Sequence, residues 1–283
     1  MQYEKNDVMA GIVTYNPDIQ RLLGNINAVR DQVNKVVIVD NGSTNAAEVE
    51  NAITDKIVLI KWDTNRGIAA ALKTIMAYAI ESNYSWVLTI DQDSIVQSGL
   101  INEYLKYANR EECKNVGLFT CLIKDRNFKD KKHEEQVKDV QIVDSCITSA
   151  AFCSVEKYKK IKGYDDSFFI DCVDFDICYQ FRDAGFDISR INYTGLLHEV
   201  GHGENRRFLL WTIVVYHHNA KRIYTLSRNG VYLWKKHPKI YGFHRMVKKH
   251  LALFTRIVLY EDKKSEKLRA FIRGIWEGHR LRT

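Results

Sequence analysis

The chain has 283 residues, of which 46% are apolar and 27% charged, and this composition excludes a disordered chain. Its six cysteines show no Cys-x-x-Cys spacing, and a chain of this size needs no disulfide framework, so we expect reduced thiols in a cytoplasmic protein. Residues 1–7 form no signal-peptide core, and the longest apolar runs, such as residues 209–216, are too short to span a bilayer. From Lys235 onward, fourteen Lys and Arg stand against four Asp and Glu, a net charge of +10, so residues 1–234 carry −3.

Short apolar runs alternate with helical patterns along the first third of the chain. Four runs predict buried strands at residues 8–14, 36–39, 57–61 and 86–90. The spacing of apolar residues between them predicts a helix that Asp18 caps, and further helices at residues 46–53 and 68–81. This alternation is typical of right-handed crossovers that build a parallel sheet with helices on both faces, so we expect an α/β fold.

Polar residues follow three of these predicted strands: Thr14-Tyr15-Asn16, Asp40-Asn41-Gly42 and Asp91-Gln92-Asp93. Because parallel strands end at one edge of a sheet, these side chains should line one crevice, where open α/β sheets bind ligands. Asp91 and Asp93 could give oxygen ligands to Mg²⁺ or Mn²⁺ while the metal holds a diphosphate, and the alternative is a solvated turn. The chain lacks both glycine-rich phosphate loops, Gly-x-Gly-x-x-Gly after the first strand and Gly-x-x-x-x-Gly-Lys, which favours the metal as the diphosphate anchor.

Beyond Asp93 the regular alternation is lost. The patterns predict a helix at residues 100–108, strands at residues 116–121, 140–143 and 150–153, a helix start near Ser149 or Ser154, and a charged surface loop at residues 124–138. This mixture indicates a second half that is built onto the first one and is not a separate domain.

Five aspartates fall within twelve residues: Asp165, Asp166, Asp171, Asp174 and Asp176. The apolar spacing after Asp174 predicts a helix, so Asp174 and Asp176 belong to its first turn, where the helix dipole favours negative charge. Helix capping explains one or two of these acids. A carboxylate among the others could act as a general base toward a hydroxyl group.

Two histidines lie close together in His198-Glu199-Val200-Gly201-His202, directly after residues 188–197. This is not the zinc motif His-Glu-x-x-His, because the second histidine comes one residue too late to share a helical face. A single histidine is more often structural than a ligand. The two acidic clusters upstream make contact with a metal or a phosphate an equal alternative.

The C-terminal third is predicted to be helical. Residues 206–229 should form one long helix, on which Arg222 and Arg228 could contact a phosphate or remain solvated. After Pro238, apolar residues recur at helical spacing among Lys and Arg, namely Met246, Leu251, Leu253, Phe254, Ile257, Val258 and Tyr260. This basic amphipathic helix is expected to lie on an anionic membrane surface or to pack on a partner.

The motifs together resemble the family 2 glycosyltransferases, and in particular their bacterial rhamnosyltransferase branch. The resemblance covers roughly residues 8–230. It is carried by Val13-Thr14-Tyr15-Asn16-Pro17, Val39-Asp40-Asn41-Gly42-Ser43, Asn65-x-Gly67-Ile68-Ala69, Leu88-Thr89-x-Asp91-Gln92-Asp93-Ser94, Phe169-Ile170-Asp171-x-Val173-Asp174, His198-Glu199-x-Gly201 and Arg222-x-Tyr224-x-x-x-Arg228-Asn229.

This resemblance implies a GT-A fold, the Rossmann-like fold of nucleotide-diphospho-sugar transferases, in a catalytic domain at residues 1–230 with a helical, basic extension at residues 231–283. It implies that the nucleotide sugar is bound by Thr14, Tyr15, Asn16, Asp40, Asn41, Gly42, Asn65, Gly67, Asp91 and Gln92. Asp93 would bind Mg²⁺ or Mn²⁺ with Asp91 and His198. His202, Arg222 and Arg228 are candidates for phosphate or acceptor contacts.

Asp174 matches the position of the family's catalytic base. It would take the proton of an acceptor hydroxyl that attacks the anomeric carbon and inverts its configuration. Relatives often have Glu-Asp where this chain has Val173-Asp174, so Asp171 and Asp176 remain alternative bases. Many relatives also have asparagine and glycine where Lys73 and Ile75 stand, which bears on the donor more than on the reaction class.

The expected activity is transfer of L-rhamnose from dTDP-β-L-rhamnose to a lipid-linked saccharide, by an enzyme held peripherally at the inner face of the plasma membrane. The alternatives are another donor such as a UDP-sugar, a sugar-phosphate nucleotidyltransferase, or a nucleic-acid-binding module with a basic tail. The net charge of −3 on residues 1–234 argues against broad nucleic-acid contact, so we expect no nucleic-acid partner. The sequence leaves the oligomeric state open, a homo-oligomer included.

Overall fold

The computed structural model describes residues 2–51, 56–125, 139–198, 204–208 and 211–283. These residues form two compact units, each with its own internal contacts. We call them the sheet unit, Met1–Phe169 with Val173–Val200, and the helical unit, Ile170–Cys172 with Gly201–Thr283.

The sheet unit contains nine strands and six α-helices among its described residues. Its strands are β1 (Val8–Thr14), β2 (Lys35–Asp40), β3 (Ile57–Lys61), β4 (Trp86–Asp91), β5 (Ile95–Val96), β6 (Val116–Asp125), β7 (Val140–Ile142), β8 (Ala151–Ser154) and β9 (Asp187–His198). Its helices are α1 (Ile19–Val29), α2 (Ala46–Glu50), α3 (Ile68–Glu81), α4 (Leu100–Ala108), α5 (Val155–Tyr158) and α6 (Val173–Asp183). Short 3₁₀ turns cover Lys5–Asp7, Glu111–Cys113 and Asp166–Phe168.

One sheet runs through this unit in the order β3-β2-β1-β4-β8-β6-β9-β5, with β7 paired to β9. Strands β1 to β4 are parallel to one another, which confirms the predicted parallel sheet. Strand β8 is antiparallel to both β4 and β6, and β6 is parallel to β9, so the second half of the sheet is mixed. The loss of alternation after Asp93 therefore marks a change in strand direction within a single sheet.

The core below β4 is aromatic. Trp86 stacks on Phe152 of β8 with ring centroids 4.7 Å apart, and Phe152 stacks on Tyr104 of α4 at 4.9 Å. All three side chains are nearly or fully buried. Because large aromatic rings contribute much of the buried apolar surface, this stack fixes α4 and β8 against the strand that ends at Asp91.

Local signals set several element boundaries. Asp18 accepts a hydrogen bond from the backbone N–H of Arg21 and caps α1, as predicted. Of the two candidates for the later helix start, Ser154 caps α5 by accepting from the N–H of Lys157. The predicted surface loop at residues 124–138 overlaps the end of β6, and residues 126–138 lie outside the described part of the chain.

The helical unit contains the hairpin of β10 (Glu204–Phe208) and β11 (Trp211–Val215), followed by α7 (Ala220–Lys236), α8 (Phe243–Tyr260) and α9 (Lys264–Arg280). The prediction of one helix over residues 206–229 is therefore wrong in its first part. Residues 211–215 are aromatic and β-branched and favour a strand, and Asn219 caps α7 by accepting from the N–H of Arg222. The predicted domain boundary at 230/231 lies within α7 and remains a prediction.

Helices α7 and α9 cross with their backbones close together. A Cβ atom built on Gly274 would lie 2.5 Å from the carbonyl oxygen of Tyr224, and one on Gly278 would lie 2.6 Å from that of Arg228. Ile223, Ile257 and Phe271 form the small core that joins the three helices. Within the described residues, no helix is both long enough and apolar enough to cross a membrane.

Candidate active site

Three strand ends meet at one edge of the sheet unit. In the pairing of β1 with β2, Thr14 lies opposite Asp40, and in the pairing of β1 with β4, Val13 lies opposite Asp91. The polar tips that the sequence places after separate strands therefore lie at the same level on neighbouring strands. This edge is where parallel α/β sheets bind their ligands.

Three hydrogen bonds hold the carboxyl group of Asp40. It accepts from the Thr14 hydroxyl at 2.9 Å, from the Ser43 backbone N–H at 2.9 Å and from the Ser43 hydroxyl at 2.5 Å. Asp40 and Thr14 are both fully buried. A buried carboxyl group needs such donors, and together they fix its orientation at the end of β2.

Asn41 and Gly42 join this turn to the segment before α3. The Asn41 side-chain oxygen accepts from the backbone N–H of Arg66 at 2.8 Å, and its own backbone N–H donates to the Thr14 carbonyl at 2.8 Å. Gly42 has φ +81°, and a Cβ there would lie 2.6 Å from the carbonyl carbon of Thr64. Only glycine fits this close approach of two backbones.

The start of α3 is shaped by Asn65 and Gly67. The Asn65 side chain accepts from the N–H of Gly67 at 2.9 Å, and the next N–H, of Ile68, donates to the Phe169 carbonyl at 2.7 Å. Gly67 has φ +90°, and a Cβ there would lie 2.6 Å from that carbonyl oxygen. Phe169 itself has φ +54°, so two left-handed residues pack against each other at this helix start.

Tyr15, Asn16 and Gln92 fix the loops after β1 and β4. The Gln92 side chain accepts from the Tyr15 N–H at 2.7 Å and donates to the Tyr15 carbonyl at 3.3 Å. The Asn16 side chain accepts from the N–H and the hydroxyl of Thr44 at 2.8 and 3.0 Å. The Tyr15 ring stays 47% exposed, which leaves an aromatic face available beside the edge.

Asp91 and Asp93 are half-buried in the turn after β4. The Asp91 N–H donates to the Ser149 hydroxyl at 3.2 Å, and Ser149 donates to Ser94 at 3.0 Å. The Asn25 side chain donates to the Asp91 carbonyl at 2.6 Å. Asn25 and Ser149 come from distant parts of the chain, and no local pattern in the sequence links them to Asp91, whereas Ser94 lies three residues after it. They fix the backbone that carries both carboxylates.

The three aspartates considered as the base have different surroundings. Asp176 is 1% exposed and accepts from the Gln180 side chain at 2.7 Å, so it lies in the core. Asp174 is half-buried in the first turn of α6, and its side chain accepts from the N–H of Phe175 at 2.9 Å. Asp171 belongs to the helical unit.

Asp171 lies in a strained loop that α7 holds. Its side chain accepts from Arg222 at 2.7 Å and is 11% exposed, and it has φ +66°. The buried Asn229 side chain donates to the carbonyls of Ile170 and Asp171 at 2.7 and 2.9 Å, and its oxygen accepts from Arg228 at 2.9 Å. Asn229 was not among the predicted site residues, although it ends the last motif.

The described part of the structure includes no side chain for two of the predicted site residues. His198 is the last residue of β9, and its side chain lies outside the described part of the structure. His202 lies outside the described residues altogether.

A second group of acidic side chains lies at the start of α9. Ligand atoms of His217, Glu261 and Asp262 lie within 4.8 Å of one another. The Lys267 ammonium donates to Glu261 at 2.7 Å and to Asp262 at 2.5 Å. Burial lowers the pKa of Lys267, but these two hydrogen bonds outweigh burial and raise the pKa overall. Lys267 is therefore the cation that pairs with both carboxylates.

The family model described as "Glycosyl transferase family 2" matches residues 10–173, more than half of the chain. The chain is 26% identical over 287 residues to "dTDP-rhamnosyl transferase RfbF" of Shigella flexneri, which covers 97% of this chain and 96% of that protein. It is 25% identical over 223 residues to "Rhamnosyltransferase WbbL" of Escherichia coli (strain K12), covering 67% of this chain and 81% of that protein.

Solved structures show the same fold at low sequence identity. GalNAc-T7 with UDP, GalNAc and Mn²⁺ aligns with a TM-score of 0.61 and 12% identity over 95% of this chain, which spans 56% of that chain. TarS 1–349 of S. aureus in complex with UDP-GlcNAc aligns with a TM-score of 0.57 and 12% identity, covering 95% of this chain and 81% of that chain. The chain therefore belongs to glycosyl transferase family 2, is rhamnosyltransferase-like within it, and has the GT-A fold.

Proposed function

We propose that this protein is an inverting, metal-dependent rhamnosyltransferase that moves L-rhamnose from dTDP-β-L-rhamnose to a hydroxyl of a lipid-linked saccharide, in the synthesis of a bacterial surface polysaccharide such as O-antigen. The observation that carries the proposal is the end-to-end similarity to a dTDP-rhamnosyl transferase, over 97% of this chain and 96% of the relative. The identity of the donor sugar is the first property to measure.

The nucleotide would bind at the strand-end edge. Asp40, buried and held by three donors, would fix the end of β2 beside a base or a ribose, and the exposed ring of Tyr15 offers a stacking face. Asn16, Asn41, Gly42, Asn65 and Gly67 would shape the loops around it, and Asp91 and Gln92 would approach the sugar. Preorganised groups of this kind lower the ordering cost of binding.

Asp91 and Asp93 fit a divalent metal. Both are oxygen donors on one braced turn, and Mg²⁺ and Mn²⁺ take one or two carboxylates together with phosphate oxygens of a substrate. His198 would be the third protein ligand. When bound, the metal offsets charge on the departing diphosphate.

Asp174 would act as the base. The acceptor oxygen attacks the anomeric carbon, the bond from that carbon to the diphosphate breaks on the opposite face, and the hydroxyl proton moves to Asp174. Two observations support this choice: Asp176 is buried against Gln180, and Asp171 is paired with Arg222. Arg222 and Arg228 would then position other residues and not contact the substrate themselves, since Arg222 donates to Asp171 and Arg228 donates to Asn229.

A lipid-linked acceptor would bring the protein to the inner face of the plasma membrane. The excess of ten positive charges from Lys235 onward supports peripheral contact with an anionic surface.

Product analysis with several donors tests the proposal. The protein would be incubated with dTDP-rhamnose, UDP-GlcNAc or UDP-galactose, a membrane lipid extract and Mn²⁺, and nucleoside diphosphate release would be measured. We expect release of dTDP that depends on the lipid extract, and an inverted linkage in the product by NMR. Release of UDP alone would overturn the donor. Pyrophosphate release from a nucleoside triphosphate and a sugar phosphate would indicate a nucleotidyltransferase instead.

A further inference from the structure

Helix α8 has two apolar faces, although its sequence predicts one. Met246 and Ile257 are buried, and Ile257 packs with Ile223 of α7 and Phe271 of α9. These residues form the inner face. The other apolar residues of the predicted amphipathic helix do not all belong to it.

The outer face carries large apolar side chains that remain exposed. We call Phe243, Leu251, Phe254 and Val258 the outer stripe; their exposed fractions are 54%, 59%, 43% and 37%. The spacing of i, i+8, i+11 and i+15 aligns them along one side of the helix. A single exposed leucine needs no explanation, but a row of four along four turns marks an interaction surface.

Helix α9 adds two more exposed residues. Ile272 and Trp276 are 65% and 57% exposed and lie one turn apart. The Phe254 ring of the outer stripe contacts Phe271, the residue before Ile272, with centroids 5.9 Å apart. The Arg280 guanidinium lies 4.3 Å over the Trp276 ring. An aromatic ring next to a basic group is typical of side chains at a lipid headgroup boundary.

Charge decides which partner fits. Exposed basic residues lie near these faces, among them Lys248, Arg269 and Arg280, and residues from Lys235 onward carry +10 overall. Two copies meeting through the outer stripe would bring two such charges together, which opposes self-association. Nucleic-acid phosphates would satisfy the charge and leave the apolar stripe uncovered. An anionic bilayer satisfies both, because its headgroups attract each nearby Lys or Arg while apolar side chains enter the interface.

We propose that the outer stripe of α8, with Ile272 and Trp276 of α9, is the surface on which this protein docks to an anionic lipid bilayer. This deepens the proposed function, because it rests on the membrane contact that a lipid-linked acceptor requires. It assigns that contact to six side chains, while the inner face of α8 packs within the helical unit and stabilises its fold.

Vesicle co-sedimentation of the full chain tests the proposal. We expect binding to vesicles of phosphatidylcholine with phosphatidylglycerol, at least tenfold weaker binding to phosphatidylcholine alone, and release by high salt. Leu251→Glu and Phe254→Glu should each reduce binding at least tenfold. The matched control is Ala252→Glu, which makes the same charge change at the neighbouring exposed position off the stripe and should bind within about twofold of the wild type, since only the stripe enters the interface.

Failure of the wild type to bind anionic vesicles would overturn the assignment, as would equal binding by Leu251→Glu and Ala252→Glu with unchanged melting temperatures. A dimer in light scattering that Leu251→Glu dissociates would also overturn it, in favour of a second copy as the occupant. Turnover of dTDP-rhamnose with a detergent-solubilised lipid extract is measured separately. If turnover is absent while vesicle binding follows the stripe, the proposed function fails and the docking surface stands.

Discussion

The two units of this protein use opposite ways of presenting side chains to a partner. At the strand-end edge, Thr14 and Asp40 are fully buried and hydrogen-bonded to each other, and Asn16, Asn41 and Gln92 are hydrogen-bonded to nearby backbone groups. On α8 and α9, Leu251 and Ile272 are about three-fifths exposed. The first arrangement suits a small polar ligand that needs fixed partners. The second arrangement suits a partner with an extended surface that can adapt to the shape of the protein.

Replacing the proposed base should give the largest effect and separates chemistry from binding. Asp174→Asn should lower kcat by about 10²- to 10⁴-fold, because a general base contributes that much to proton transfer. The Kd for the donor should stay within about threefold, since Asp174 takes no part in the proposed donor contacts. Steady-state kinetics and calorimetry check this, and a kcat near that of the wild type would exclude Asp174 as the base.

A methyl group at the start of α3 tests how tightly the edge is packed. Gly67→Ala should lower the free energy of unfolding by about 3 kcal/mol, because a left-handed residue with no room for a Cβ is forced against the Phe169 backbone. The matched control is Gly24→Ala in α1, where the new Cβ would lie 3.8 Å from Ile95. That control should stabilise the protein by about 0.5–1 kcal/mol. Urea unfolding measures both, and equal effects would contradict the crowding at Gly67.

The helical unit also contains a tightly held side chain, that of Asn229, which makes three hydrogen bonds and holds the loop of Ile170 and Asp171 against α7. Asn229→Leu should cost about 2 kcal/mol of unfolding free energy, because two backbone carbonyls lose their donor. Ser227→Ala removes a buried hydroxyl that bonds only within its own helix, to the Ile223 carbonyl, and should cost less than about 1 kcal/mol. If both variants unfold at the same urea concentration, Asn229 does not hold the loop.

The smallest expected effect is a pH dependence in the helical unit. Burial, helped by the nearby Arg222 guanidinium, lowers the pKa of His218 below its usual value of 6.5. The unfolded chain then binds this proton more readily than the folded one, so stability falls as the pH falls below about 6.5. Unfolding free energies at pH 7.5 and 5.5 should differ more for the wild type than for His218→Gln. If the difference between the two pH values is the same for both proteins, His218 does not contribute to the pH dependence of stability.

Local patterns were enough to predict the first half of the sheet. Strands β1 to β4 are continuous apolar runs with clear polar ends, and α3 and α4 have the predicted bounds of residues 68–81 and 100–108. The convergence of Thr14, Asp40 and Asp91 follows from parallel pairing alone. Regular alternation constrains topology strongly, because few crossovers are sterically allowed.

Features that depend on distant contacts could not be predicted. Ser149 supports Asp91 across 58 residues of sequence, and no pattern links them. Helical spacing places Asp174 and Asp176 in the same first turn, so the sequence offers both as candidate bases. In the structure Asp176 is buried against Gln180, whereas Asp174 is half-buried. The two apolar faces of α8 could not be predicted for the same reason, since periodicity identifies the apolar residues of a helix but not the neighbours that cover them.

The most direct test of a nucleotide-sugar site at the strand ends is the melting temperature of the protein with dTDP-rhamnose, with and without Mn²⁺. At a hundredfold excess over Kd, a ligand that binds only the folded state stabilises it by about 2.7 kcal/mol. We expect the wild type to melt several degrees higher with dTDP-rhamnose and Mn²⁺ together, and Asp93→Ala to lose that increase. An unchanged melting temperature with dTDP-rhamnose and with every UDP-sugar, in the presence of Mn²⁺, would contradict a nucleotide-sugar site at this edge.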